Sequence, residues 1–167
     1  MWRPLPPRSA PPAASGSTCG PSEASTTSTS PSTGRTRWAP AGWLVKGGGG
    51  AQTREKIVAA AATRYVVIVS SNKMVDALVA PVPLELLAFG LDATLRALGD
   101  ARVTDKPASP DKGVLAGYFG PIGDPGKLAQ WLSAIPGVVE HGLFSPAMVS
   151  DILIGQGVHV HRRCPGD

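Results

Sequence analysis

The stretch Leu44–Lys56 reads LVKGGGGAQTREK and sets four consecutive glycines between a lysine and a helix-forming run. Each glycine loses more backbone freedom on folding than any other residue, and a turn needs only one or two. Consecutive glycines leave backbone N–H groups unshielded, and a helix start just beyond adds more N–H groups and a positive dipole end. Lys46 places a full positive charge at the edge of the loop. Together these features suit a phosphorylated ligand. A flexible connector with a solvated lysine is the competing reading, and the physics of the loop alone does not separate the two. The stretch is not a Walker A loop, because no Gly-Lys-Ser/Thr follows.

Outward from this stretch the pattern is α/β. Thr53 is the expected N-cap of a helix over Arg54–Arg64. Tyr65–Ser71, YVVIVSS, is a β-branched run that predicts a buried strand of a parallel sheet. Ser70, Ser71, Asn72 and Lys73 fall at its carboxyl end, where open α/β sheets bind ligands. PVPLEL, from Pro81, reads as an edge or connecting segment. Helices are expected over Phe89–Leu98 and from Asp124, with Asp124 as N-cap and Pro125 at the first position, ending before Pro136-Gly137. Strands are expected at Arg102–Thr104, Val114–Phe119, Val138–Phe144 and Asp151–Gly155. The order helix, two strands, helix, strand describes a small α+β unit.

Composition divides the chain. Between Met1 and Trp43 the only Leu, Ile or Val is Leu5, the only acid is Glu23, and Pro, Ser, Thr, Ala and Gly dominate. Such a segment cannot bury enough apolar surface to offset its ordering entropy, so it is expected to be disordered. It carries four Arg and one Glu, so most of the net +4 charge belongs to the leader. That distribution, with few aromatics, argues against a nucleic-acid partner. No apolar run approaches membrane-spanning length, and the leader lacks a secretory signal's apolar core. A cytoplasmic protein is the default expectation. Cys19 and Cys164 do not read as a structural disulfide or as metal ligands. His159 and His161, in VHVHR, read as polar residues on one face of an edge strand. Glu55 would fall in the first helical turn, where the dipole favours any carboxylate. Its position past a candidate anion loop also suits proton transfer on a bound molecule.

KGGGGAQTREK, VVIVSSNK, PLELLAFG, IPGVVEHGLF and VSDILIG occur in an order and spacing that resemble the type A ribose-5-phosphate isomerase family, over nearly all of residues 44–157. The resemblance implies a metal-free and cofactor-free aldose–ketose isomerase of the non-oxidative pentose phosphate pathway, interconverting ribose 5-phosphate and ribulose 5-phosphate through an enediol(ate). It implies Glu55 as the base moving a proton between C1 and C2, and Lys46, Gly47, Gly48, Gly49 and Lys73 as substrate-binding residues. It implies a partial Rossmann-like parallel layer (44–82 and 145–160) bearing a small ferredoxin-like α+β unit (83–144), after a disordered leader (1–43) and before a tail (161–167). The partner expected is the sugar phosphate, with neither nucleic acid nor membrane, and with a homo-oligomer left open.

The family's Gly-Thr-Gly-Ser-Thr loop and Asp-Gly-Ala-Asp-Glu motif are missing from this sequence. Written in GC-rich codons, Ser28–Trp38 (STSPSTGRTRW) read from the third base of the first codon spells Asp-Leu-Ala-Ile-Asp-Gly-Ala-Asp-Glu-Val. The leader is therefore expected to be an out-of-frame reading of that motif. Two functions follow for the chain as written: an isomerase, or a non-catalytic fragment with at most weak sugar-phosphate binding, whose YVVIVSS strand would be an exposed edge.

Overall fold

The computed structural model describes residues 27–31, 36–39 and 41–164. Within these lie eleven strands and three helices, arranged in three sheets. Strand β1 spans Thr27–Pro31, β2 Arg37–Trp38 and β3 Leu44–Val45; helix α1 spans Gln52–Ala61 and leads into β4, Arg64–Ser70. After a 3-10 turn at Ser71–Lys73 come β5 Val82–Leu86, α2 Leu91–Leu98, β6 Ala101–Val103, β7 Val114–Tyr118, α3 Pro125–Ala134 and β8 Val138–His141. Strand β9, Leu143–Phe144, and a 3-10 turn at Pro146–Met148 precede β10, Asp151–Gln156, and β11, His159–Arg163.

The first sheet has the order β1-β4-β10-β11, with β1 and β10 both parallel to β4 and β11 antiparallel at the edge. YVVIVSS thus forms the expected parallel strand, but it is an interior strand and not an edge. The segment 1–43, expected to lack order, contributes β1 to this sheet and β2 to the next. Residues 1–26, 32–35 and 40, with Cys19, lie outside the described residues. One face of β4 is sealed, with Tyr65, Val67 and Val69 buried, while Ile68 on the other face is 40% exposed.

The antiparallel sheet β6-β7-β5-β8 buries Val82, Leu84 and Leu86 against Leu98 of α2 and Leu128 and Leu132 of α3. Strand β5 is central here, contrary to the edge expected from its prolines. Pro83 is tolerated because the local bond runs the other way: its carbonyl accepts from Gly142 N at 2.7 Å. Helix α3 begins as expected, with the Asp124 carboxylate accepting from Gly126 N at 2.8 Å and Lys127 N at 3.1 Å.

The third sheet, β2-β3-β9, divides two cores. Strand residues alternate faces, so Leu44 and Phe144 join the core over β4 and β10, with Trp38, Tyr65 and Ile152. Val45 and Leu143 point the other way, into the core of the antiparallel sheet. The run expected as one strand over Val138–Phe144 is broken at Gly142, which lets β8 and β9 join different sheets. Lys46 N donates to Gly142 O at 2.8 Å, and a Cβ on Gly142 would meet the Lys46 carbonyl at 2.1 Å. Backbone cannot withdraw as a flexible side chain can. Gly142→Ala is expected to destabilise the chain by about 2 kcal/mol or more, read by chemical denaturation. Gly157→Ala, where the added Cβ meets nothing within 4 Å, should cost only about 1 kcal/mol for its positive φ.

Candidate functional site

Lys46 is the residue after β3, so alternation returns its side chain to the Leu44 face, where the partner groups are aromatic. The side chain is 2% exposed. Its Nζ donates to the Tyr65 hydroxyl at 3.0 Å and lies 5.6 Å from the ring centroids of both Tyr65 and Phe144. Glu55 supplies the counter-charge: its Oε2 stands 3.4 Å from Lys46 Nζ, while the side chain remains 29% exposed. That oxygen is itself buried and accepts no hydrogen bond among the described residues. The contact is therefore an ion pair without a directed bond. An ammonium buried in this way needs a compensating charge and aromatic faces, and it has both.

The glycines divide by what surrounds them. Gly47 and Gly50 have φ of +99° and +85°, and a Cβ would meet Gln52 Cβ at 2.6 Å and Leu115 Cδ1 at 2.5 Å respectively. Both are required by the fold. Gly49 has nothing within 4 Å of an added Cβ, so packing gives no reason for its being glycine. Gly47→Ala should lower stability by about 2 kcal/mol or more. Gly49→Ala should leave the thermal midpoint within about 2 °C of the parent, since it removes no contact. Differential scanning calorimetry of the two variants checks both outcomes.

Helix α1 opens at Gln52, with Ala51 as an N-cap that provides no side-chain bond. Thr53, expected as the cap, lies inside the helix and gives its hydroxyl to Glu85. Glu85 is fully buried and also accepts from Ser109. A contact across 32 residues outweighs the local preference. Lys106 reaches over the loop to the Gly48 carbonyl. A cavity of about 220 Å³ lies on the Val45 side of the loop, with Gly47, Gly48, Gln52, Leu115 and Phe119 in its wall. Neither Lys46 nor Glu55 lines it, as strand alternation requires.

Of the residues singled out in the sequence, the structure brings Lys46 and Glu55 into contact at the end of the glycine loop. Lys73 is not part of that contact. It is half-buried in the turn after β4, and Tyr65, which binds Lys46, is roughly 16 Å along the strand from Ser70. His159 and His161 are exposed on the edge strand β11. The described residues hold no cluster of three or more His, Cys, Asp or Glu side chains suited to a metal, and no helix long and apolar enough to cross a membrane.

Sequence reasoning missed Tyr65 and Phe144, because an aromatic residue in an apolar run looks like plain core. It also missed a buried polar cluster beside the site. Lys56 Nζ donates to Glu140 Oε1 at 2.7 Å and to the His141 carbonyl at 2.6 Å, and lies 3.2 Å from His141 Nδ1. Leu143 N also donates to Nδ1, at 3.2 Å, which marks Nδ1 as an acceptor and leaves Nε2 to donate to Ser133 Oγ at 3.2 Å. Burial, and then the Lys56 charge, push the His141 imidazole down to about 4, against the smaller opposing pull of Glu140. Burial also lowers Lys56.

A histidine held neutral in the fold and protonated when unfolded costs stability in acid. Its contribution is complete above about pH 6.5 and is lost as pH falls toward about 4. Denaturation midpoints should therefore fall over that window. His141→Gln should flatten the pH dependence by at most roughly 3 kcal/mol.

Fold and site together define a mixed α/β protein with a buried lysine–glutamate pair at a glycine loop that opens a helix. The family described as ribose 5-phosphate isomerase A (phosphoriboisomerase A) matches residues 36–158. The chain belongs to that family. The ribose-5-phosphate isomerase A of Afipia carboxidovorans is 48% identical over 146 residues, covering 77% of this chain and 62% of the relative. Ribose 5-phosphate isomerase A of Methanocaldococcus jannaschii has a solved structure that superposes with a TM-score of 0.74 at 29% identity, over 83% of this chain and 65% of that one. A D-ribose-5-phosphate isomerase solved in complex with phospho-erythronic acid superposes at 0.72 with 27% identity, over 82% of this chain and 64% of that one. The chain thus spans less than two thirds of the length of these relatives.

Proposed function

We propose that the chain is an aldose–ketose isomerase that interconverts ribose 5-phosphate and ribulose 5-phosphate, a step of the non-oxidative pentose phosphate pathway. The observation that carries this reading is the 3.4 Å contact between Glu55 and the buried Lys46 at the end of the glycine loop. In the open-chain aldose, the Glu55 carboxylate removes the proton from C2, giving an enediolate. The same group returns the proton to C1 while the hydroxyl proton passes from O2 to O1, and the ketose results. The buried ammonium stabilises negative charge in a low-dielectric setting, where such stabilisation counts most. Family membership supports the reading.

The loop and the uncapped start of α1 present backbone N–H groups to an anion. Gly49, free of packing demands, leaves room for the sugar to approach the backbone. Lys73, past the carboxyl end of β4, is the second proposed cation for substrate. The first sheet with α1 (44–82 and 145–160) is proposed as part of a Rossmann-like layer, and the antiparallel sheet with α2 and α3 (83–144) as a ferredoxin-like unit. No cofactor takes part in the proposed step. A soluble cytoplasmic enzyme is the corresponding proposal for location.

The test is an isomerase assay on the full chain with Glu55→Gln as control, run beside calorimetric titration with phospho-erythronic acid. Glu55→Gln should lower kcat by about 10²–10⁴-fold while the inhibitor still binds. Neither turnover nor binding by the parent chain would reject the assignment and leave the fragment reading. Activity appearing only when the displaced frame over Ser28–Trp38 is restored would trace the loss to the leader.

A further inference from the structure

We propose that Glu140 and His141 are positioning residues for Glu55, acting through Lys56. The proposal rests on Glu55 being the proton-transfer group. Glu55 and Lys56 are successive residues of α1, and that helix is weakly held by apolar contact. Its buried residues are only Gln52 and Ala59, while Ile57 and Val58 are 63% and 47% exposed. A helix with so little apolar contact takes its position from polar anchors. Thr53–Glu85 holds its first turn. The Arg54–Asp111 pair is exposed on both sides and contributes little.

The anchor beside Glu55 is Lys56, 11% exposed, whose ammonium has as many neighbouring acceptors as it has donors. Glu140 Oε1, the His141 carbonyl and His141 Nδ1 lie at 2.7, 2.6 and 3.2 Å. Glu140 is itself fixed, since Oε1 also accepts from His141 N at 2.9 Å. The groups around Lys56 thus come from β8, and the helix is tied to the antiparallel sheet at the residue next to the catalytic carboxylate. Phe144 couples the two charges further. Lys56 Nζ lies 5.2 Å from its ring centroid and Lys46 Nζ 5.6 Å. Two ammonium groups therefore share one ring, each with its own carboxylate, Glu55 for Lys46 and Glu140 for Lys56. Removing the Glu140 charge leaves the Lys56 ammonium buried beside neutral acceptors. It must then lose its proton or withdraw, and either change moves the helix that carries Glu55.

The test compares the parent chain with Glu140→Gln, Lys56→Met, the double variant and Glu140→Asp. Turnover is measured with ribose 5-phosphate, and calorimetric titration with phospho-erythronic acid counts intact sites. Misplacement by an ångström can cost two orders of magnitude, so Glu140→Gln should lower kcat at least about tenfold, with KM within about threefold and binding stoichiometry unchanged. Glu140→Asp should recover part of the loss. The double variant should be no slower than Lys56→Met alone, because Glu140 acts through that lysine. A fall in kcat that only tracks lost stoichiometry, or a kcat within about twofold of the parent, overturns the proposal. If the parent chain neither turns over nor binds, the isomerase assignment fails instead. The crystal structure of the Glu140→Gln chain then decides the positioning role. A Glu55–Lys46 separation beyond about 4 Å, the ordinary ion-pair limit, upholds it, and a retained contact overturns it.

Discussion

The ammonium of Lys46, buried among Tyr65, Phe144 and Glu55, is the constraint around which the rest of this protein is arranged. A lone cation in such surroundings would lose its proton or draw water inward. Here a phenol oxygen, two ring faces and a carboxylate hold it in place. Each partner comes from a different element: Tyr65 from β4, Phe144 from β9, Glu55 from α1. Removing Glu55 would take away the one counter-charge among these partners, which ties the site to the junction of these elements.

The small sheet β2-β3-β9 explains why that junction exists. Its strands are only two residues long, yet alternation along them sends Leu44 and Phe144 into one core and Val45 and Leu143 into the other. Lys46 continues the alternation toward the Tyr65 side, and the glycine loop begins at once. Gly142 and Lys46 meet backbone to backbone, which fixes where the two sheets can approach. The Lys46–Glu55 pair therefore sits at a seam between two packed layers, close to the start of a helix.

Much of this was legible in the chain itself. YVVIVSS has an unbroken β-branched run, Val66–Val69, and formed the parallel strand expected of it. Asp124-Pro125 opened its helix because the cap bonds involve only adjacent residues. Lys46 and Glu55 were each singled out, one at the edge of the glycine loop and one in the first helical turn, but their contact with one another was not. What failed was decided at long range. Thr53 is not a cap, because Glu85 takes its hydroxyl. PVPLEL is a central strand, because neighbours on both sides supply its ladder. Tyr65, Phe144 and the Lys56–Glu140–His141 cluster were hidden, because their roles depend on contacts between elements that no local pattern records.

The leader shows the same limit from the other direction. Thr27–Pro31 has no apolar residue to suggest a strand other than its proline, yet it pairs in parallel register with Arg64–Ile68. In the displaced reading of the same segment, Leu-Ala-Ile falls on Thr29–Pro31, within that strand. Lys46, Glu55, Tyr65 and Phe144 all lie within residues 36–158, the part that matches the family, and none of their contacts to one another runs through β1. Their strands are nonetheless tied to the leader through the ladders, since Tyr65 of β4 pairs with Ser28 of β1 and Leu44 of β3 pairs with Trp38 of β2.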